Sequence, residues 1–329
     1  MEKTTVAILG AGSFGTAVAI HLASAGIPVL LWGHDAAHVD AMLVEHQNRR
    51  YLPDISFPPG LLPTASLAIC LAKATQVIIA LPSHAFGDLL LKLEKPASGL
   101  TWLTKGVDPN SHRLLSQLVA KKWGNDYPVG VVSGPSFARE MAELLPTAVV
   151  LAGNDEAYLT KIHAILHQGN LRVYLTDDVI GVQLGGAIKN IIAIACGISD
   201  GLNFGANAKA ALITRGLAEM TRLGVCLGAR LETFMGLAGI GDLVLTCTDN
   251  QSRNRRFGIQ IGQGIGLDVA ERHIGQVVEG IHTAAQICAL ATKYKVEMPI
   301  CEAVNAVLLR KINANDAVEQ LMSRPPKEE

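Results

Sequence analysis

The chain of 329 residues is short of most features that mark a metal, disulfide, nucleic-acid or membrane protein. Its six cysteines, Cys70, Cys196, Cys226, Cys247, Cys288 and Cys301, lie far apart and mostly in apolar stretches. No C-x-x-C pair occurs among them, which favours reduced core thiols and a cytoplasmic setting over a disulfide or zinc framework. No H-E-x-x-H or comparable histidine spacing offers a metal site. The net charge of −1 leaves no electrostatic case for nucleic acid or an anionic membrane. Long uninterrupted apolar runs are missing too. Residues 7–33 carry no charge apart from His21, but Gly10, Gly12, Gly15, Gly26 and Pro28 cut them into pieces of different period, so no membrane span is expected there. The opening MEKTT leads straight into strand-like residues, without a separate signal-peptide core. There is no internal repeat, low-complexity tract or Pro/Ser-rich linker, and the closing SRPPKEE reads as a frayed tail.

What is present in residues 5–33 is a β-α-β unit. TVAIL is a strand buried on both faces, GAGSFG supplies glycines at the spacing G-x-G-x-x-G, residues 15–25 read as a helix, and PVLLW is a second strand. In that context Gly10 permits the tight turn, Gly12 lets the backbone approach a pyrophosphate, and Gly15 lets helix and strand pack closely. Strand-like runs recur at 76–82, 100–106, 129–135, 147–153 and 171–177, with helix-compatible segments between many of them. This alternation predicts an α/β protein opening on a doubly wound, Rossmann-type, mostly parallel sheet. From about residue 180 the strand signals fade, and helical segments follow at 181–199, 207–224, 267–272, 280–293, 300–310 and 314–322. The expected division is a dinucleotide-binding domain over 1–178 and an all-helical substrate domain over 179–329.

Four constellations could carry chemistry. Lys105 closes the strand-like run GLTWLT, and ligands in open α/β sheets collect at the carboxyl ends of strands. In SGPSFARE, Gly134 and Pro135 enforce a turn, and Ser136 is suited to cap the helix that follows. In VQLGGAIKNIIAIACGIS, helical spacing puts Gly185, Gly186, Ala193 and Cys196 on the face of Lys189. A lysine bedded in small residues lets a ligand reach its ammonium, and one flanked by such apolar sequence needs a polar partner. The competing reading is a close helix contact with the lysine reaching outward. In GLAGIGDLVLTCTDNQSRNRRFG, glycines bracket the approach to Asp242, and Arg253 with Ser252 and Asn254 forms a candidate phosphate clamp.

These stretches, with GAGSFGTA, LTKG and VVEGIHTA, closely resemble the soluble NAD(P)-dependent glycerol-3-phosphate dehydrogenases over nearly the whole chain. The resemblance implies interconversion of dihydroxyacetone phosphate and sn-glycerol 3-phosphate with NADPH/NADP or NADH/NAD, in a homodimer supplying the phospholipid precursor. It implies cofactor contacts at Ser13 and Phe14 in the glycine loop, and at His34, Tyr51 and Ala138. Substrate contacts are implied at Lys105, Gly134, Ser136, Asp242, Ser252, Arg253 and Asn254, with Lys105 and Arg253 also near the cofactor. Val277 and Glu279 match contacts to the nicotinamide end. Lys189 matches the acid/base position, and Lys105 and Asp242 complete the expected catalytic set. A NAD-specific protein usually places an acid where His34 stands; His34 can donate to a 2′-phosphate, although Asp35 adjoins it. Two rival readings share the layout: a hydroxyacid or sugar-acid dehydrogenase, and a dinucleotide sensor without chemistry.

Overall fold

The computed structural model describes residues 4–325, so residues 326–329 of the tail read as frayed lie outside the described residues. The chain divides into two compact units, one of Met1–Thr104 with Leu115–Val179, the other of Lys105–Leu114 with Ile180–Glu329. The second unit thus takes in a ten-residue segment that a linear division near residue 178 leaves with the sheet.

Among the described residues of the first unit, eight strands form one sheet: β1 Val6–Leu9, β2 Val29–Trp32, β3 Leu61–Thr64, β4 Gln76–Ile79, β5 Leu100–Trp102, β6 Val129–Ser133, β7 Thr147–Gly153 and β8 Leu171–Thr176. Their order is β3-β2-β1-β4-β5-β6-β7-β8, parallel throughout except for the antiparallel pair β6/β7. β1, β4 and β6 are buried along their whole length, as strands covered on both faces must be. Strand order reverses between β1 and β4, so the carboxyl end of β1 is the switch point at which such sheets bind ligands. β3 escaped the sequence reading because LLPT is short and contains proline. At the sheet edge the missing N–H of Pro63 costs no interior ladder bond.

The second unit is helical around Val179–Gly201, whose residues 181–199 are all buried. That helix is long and apolar enough to cross a membrane, but 89% of the relevant window is buried inside the protein, which makes it the core of its unit. It crosses the helix Arg253–Gly262 along a seam of four glycines. A Cβ on Gly258 would lie 3.0 Å from Cα of Gly197, and one on Gly262 would lie 3.0 Å from Cα of Gly201. Backbones this close leave no room for side chains, and the seam sets where Arg253 and Asn254 begin their turn. Helices 231–235 and 242–248 went unread in the sequence because they are only 5 and 7 residues long, and 253–262 because it opens on RNRR and carries glycines at 258 and 262.

The N-terminus of Pro299–Leu308 has no cap of its own. Glu219, on the helix Gly205–Cys226, supplies one: it accepts from the N–H of Ile300 at 2.7 Å and of Cys301 at 3.2 Å. Burial pushes this carboxyl up to about 7, against the pull of those backbone bonds.

Candidate active site

The glycine loop follows β1. Gly10 sits at φ +132°, where L-residues are strained, and a Cβ there would lie 2.5 Å from the Ala80 carbonyl oxygen. A Cβ on Gly15 would collide with the carbonyl of Gly10. Gly12 differs: its Cβ would meet nothing within 4 Å. The first and third glycines are therefore required by the fold, while the second keeps a space open in front of the backbone. The helix Ser13–Ser24 starts at Gly12 with no side-chain cap and no acidic residue in its first turn, so no carboxylate there opposes an anion at its positive end. This cradle fits a dinucleotide pyrophosphate. Ser13 Oγ donates to the Tyr51 carbonyl at 2.9 Å, and Phe14 packs on the sheet core. His34 is exposed just beyond β2.

Past β6, Gly134 is buried at φ +142°, and a Cβ there would lie 3.0 Å from Cα of Val149. Ser136 does not cap the next helix, contrary to the sequence expectation. Its hydroxyl donates back to the Gly134 carbonyl at 2.9 Å, and the helix Ala138–Ala142 is entered through Phe137 without a side-chain cap. The Gly134–Pro135 turn folds the serine onto its own loop. Ala138 is the first residue of that helix, half-buried.

In the second unit three charged residues distant in sequence meet. Asp242, 1% exposed, faces Lys105 Nζ at 2.6 Å through Oδ2 and is in contact with Lys189 Nζ through Oδ1. Lys189, buried in the middle of Val179–Gly201, also donates to Thr246 Oγ1 at 2.9 Å. Thr246 in turn donates to the Asp242 backbone carbonyl at 2.6 Å. Burial lowers Lys189 well below the ordinary lysine range; Asp242 opposes that shift and Lys105 adds to it. Burial alone would raise Asp242, but Lys105 and then Lys189 more than offset it and hold the carboxyl below its usual range. One carboxylate between two lysines leaves one positive charge in excess. At Lys189 desolvation is the largest influence and outweighs the attraction of Asp242.

The small stripe beside Lys189 serves the protein itself. A Cβ on Gly185 would run into the Ala238 carbonyl, so the π-helical turn Leu237–Gly241 packs directly on this helix and delivers Asp242 to Lys189. Of the two readings weighed in the sequence, the close helix contact is present, and Lys189 does not reach outward but is buried against Asp242 and Thr246.

The residues read as a candidate phosphate clamp lie at the start of Arg253–Gly262. Ser252 is its N-cap, with Oγ accepting from Arg255 N at 3.2 Å. Asn254 is held through both ends of its amide: the nitrogen donates to Asn190 Oδ1 at 2.9 Å, and the oxygen accepts from Gly280 N at 2.9 Å. It therefore ties together the neighbour of Lys189, the first turn of Arg253–Gly262 and the start of the helix Glu279–Tyr294. Arg253 reaches Gln276 Oε1 at 3.4 Å; burial lowers it from its ordinary value, and Glu279 works against the fall. Val277 and Glu279 lie on either side of the helix N-cap Val278. Sequence reading missed Thr246, whose signal was its helical offset of four from Asp242. It also missed Asn190, which stands next to Lys189.

A Rossmann-type dinucleotide cradle on one unit and a buried Lys–Asp–Lys cluster on a helical unit define the class of two-unit nicotinamide-dependent oxidoreductases acting on a CH–OH group. Within that class the chain belongs to the NAD-dependent glycerol-3-phosphate dehydrogenase family. It matches the family's N-terminal domain over residues 5–159 and its C-terminal domain over residues 178–319. It is 63% identical over 329 residues to the glycerol-3-phosphate dehydrogenase [NAD(P)+] of Legionella pneumophila strain Philadelphia 1, covering 100% of both chains. It is 52% identical to that of Sodalis glossinidius, over 98% of this chain and 96% of the relative. A crystal structure of the glycerol-3-phosphate dehydrogenase of Coxiella burnetii superposes with a TM-score of 0.94 at 46% identity, covering 98% of this chain and 99% of that one. Family membership favours this reading over the hydroxyacid dehydrogenase and the dinucleotide sensor.

Proposed function

We propose that the protein interconverts dihydroxyacetone phosphate and sn-glycerol 3-phosphate, with Lys189 moving the proton at the substrate oxygen. The observation that carries the reading is the Lys105–Asp242–Lys189 cluster. It holds a buried ammonium whose proton is easily released beside a second ammonium that stays in place to polarise an oxygen. When bound, the nicotinamide cofactor supplies or accepts the hydride at C2. Reduction then needs a proton on the carbonyl oxygen, and Lys189 Nζ gives it; in oxidation the neutral amine takes it back. Lys105 stabilises negative charge developing on that oxygen. Asp242 stays ionised throughout and aims both lysines, while Thr246 fixes the Lys189 head from the other side.

Arg253 binds the phosphate through its guanidinium fork, oriented by Gln276 and Glu279, with the Ser252 hydroxyl able to donate beside it. Asn254 holds that turn in place. By family likeness we assign Gly134 and Ser136 to substrate, Ser13, Phe14, His34, Tyr51 and Ala138 to the cofactor, and Val277 and Glu279 to its nicotinamide end. A cytoplasmic homodimer feeding phospholipid synthesis is part of the same proposal, as is a domain boundary near residue 178.

The test is loss of reduced-nicotinamide absorbance with dihydroxyacetone phosphate, run beside unphosphorylated dihydroxyacetone and a panel of 2-oxoacids. Turnover should require the phosphate. Faster oxidation with a 2-oxoacid would transfer the protein to the rival class.

A further inference from the structure

In the first unit the residues after β2 contain an acid, Asp35, whose usual task in this fold would be to accept the adenosine ribose hydroxyls and so to repel a 2′-phosphate. Its carboxylate is otherwise engaged. Oδ1 accepts from the His38 N–H at 3.3 Å as N-cap of the helix Ala36–Glu45, and Oδ2 faces Arg50 NH1 at 3.4 Å. Arg50 comes from a turn fastened to the glycine loop. Asn48, fully buried, donates to the Ala11 carbonyl at 2.9 Å and to Thr16 Oγ1 at 2.8 Å. The Asn48 side-chain oxygen is bonded to His38 Nε2 at 2.9 Å, and Ser13 Oγ donates to the carbonyl of Tyr51. The backbone of Arg50 is thereby set beside the pyrophosphate loop, while its side chain is 59% exposed with the guanidinium 5.2 Å from the Tyr51 ring centroid.

A guanidinium carries five N–H donors in a planar fork, and one weak contact to Asp35 occupies little of it. An exposed ion pair of that length gives way readily to a dianionic phosphate that can be gripped by two parallel bonds. We propose that Arg50 is the residue that reads the 2′-phosphate of NADP(H), and that Asp35, committed to its helix cap and to Arg50, is withdrawn from ribose recognition. This rests on the dinucleotide reading of the glycine cradle and sharpens it. His34, the residue singled out in the sequence, is secondary because it is exposed just beyond β2 and, among the described residues, no side-chain hydrogen bond or ion pair holds it there, whereas the Arg50 backbone is set by the Asn48 turn. Arg49, the other cation of the turn, is engaged with Glu45 at 3.2 Å.

The experiment is equilibrium binding, by calorimetry or fluorescence quenching, of NADPH, NADH and the probe adenosine 2′,5′-bisphosphate. The proteins are wild type, Arg50→Gln, Arg50→Lys and Asp35→Asn. Arg50→Gln should weaken NADPH and the bisphosphate by about ten- to a hundredfold while NADH changes less than about threefold. Arg50→Lys, which keeps the charge without the fork, should fall between. Asp35→Asn, which can still cap the helix, should leave NADH unchanged and bind NADPH at least as tightly as wild type. Equal loss of NADPH and NADH in Arg50→Gln, or weakened NADH in Asp35→Asn, would overturn the proposal. Wild-type protein that binds neither dinucleotide would overturn the cofactor reading beneath it, a separate result.

Discussion

In the first unit the proposed ligand-facing chemistry rests on three glycines within six positions of one another, and its information is local: a turn, an open space and a helix start. In the second unit it rests on charged side chains from positions 105, 189 and 242, two of them buried, held together only because a glycine-permitted helix contact brings the Asp242 turn against Lys189. The cradle holds no buried charge, and its second glycine faces open space. The cluster stores a buried charge that its partners must continuously compensate. The first unit should therefore lose binding before stability when altered, and the second should lose activity and stability in ways that depend on which partner is removed.

The largest effect expected is that of Lys189→Met. Methionine keeps the helix and the packing, so dinucleotide affinity and melting temperature should stay near wild type. Meanwhile kcat should fall by about 10²–10⁴-fold with the proton carrier gone. Near-normal turnover in folded protein would remove Lys189 from the mechanism.

Asp242→Asn attacks the same cluster from the other side and should behave differently. With the carboxylate gone, the buried Lys189 loses its counter-charge and faces Lys105, so that it must be held neutral or charged at a cost, and stability should drop by about 3–5 kcal/mol. The sign with pH follows from the lowered folded-state value of Lys189. The unfolded chain binds the proton more tightly, so stability must rise as pH climbs toward the ordinary lysine value of about 10.4. Denaturant midpoints across alkaline pH check this; a deficit that widens with pH would contradict it.

Glu219 gives the second unit a further pH signature. Its folded-state value, raised from 4.5 to about 7, means that the protonated form is favoured by folding. The contribution is fully present below the unfolded value and is lost as pH rises through about 7, amounting to up to about 3 kcal/mol. Glu219→Gln, neutral throughout, should flatten this part of the profile between about pH 5 and about pH 8. An unchanged slope would show that the trans cap does not titrate in this window.

Arg253→Ala should cost roughly 1.5–3 kcal/mol of transition-state binding, about 10- to 150-fold in kcat/KM. The loss should fall on the phosphorylated substrate. If unphosphorylated dihydroxyacetone lost as much, the phosphate would not be what Arg253 holds.

The smallest effect, and the one that most sharpens the contrast, is expected at Gly12→Ala. A methyl placed in the open space should weaken dinucleotide binding by about 1–2 kcal/mol with no measurable change in melting temperature. Gly10→Ala, strained at positive φ and pressed on Ala80, should lower the melting temperature instead. If the two variants behaved alike, the separate roles read for the glycines would fail.

Much of this molecule was legible in the chain because the relevant signals are short-range. The β-α-β opening, the recurring buried strands, the fading of strand signals near residue 180 and the glycine spacing each depend on residues within one or two turns of each other. Lys189 stood out for the same reason, as a cation inside an apolar helix. What stayed hidden were the partners. The LLPT edge strand is defined by its neighbour across the sheet, and Ser136 turns back onto Gly134 although its position looks like a cap.

The sequence by itself determined most of the strands and the long helices, though not the LLPT edge strand or the helices between residues 231 and 262; it also determined where the glycine loop opens and that Lys189 needed a polar partner. Only the tertiary structure decided that this partner is Asp242 with Thr246, that Lys105 joins the helical unit, and that Asp35 is turned to Arg50. Backbone preferences and periodicity act over a few residues, whereas the protonation and aim of a buried side chain are set by desolvation and by charges brought from far along the chain.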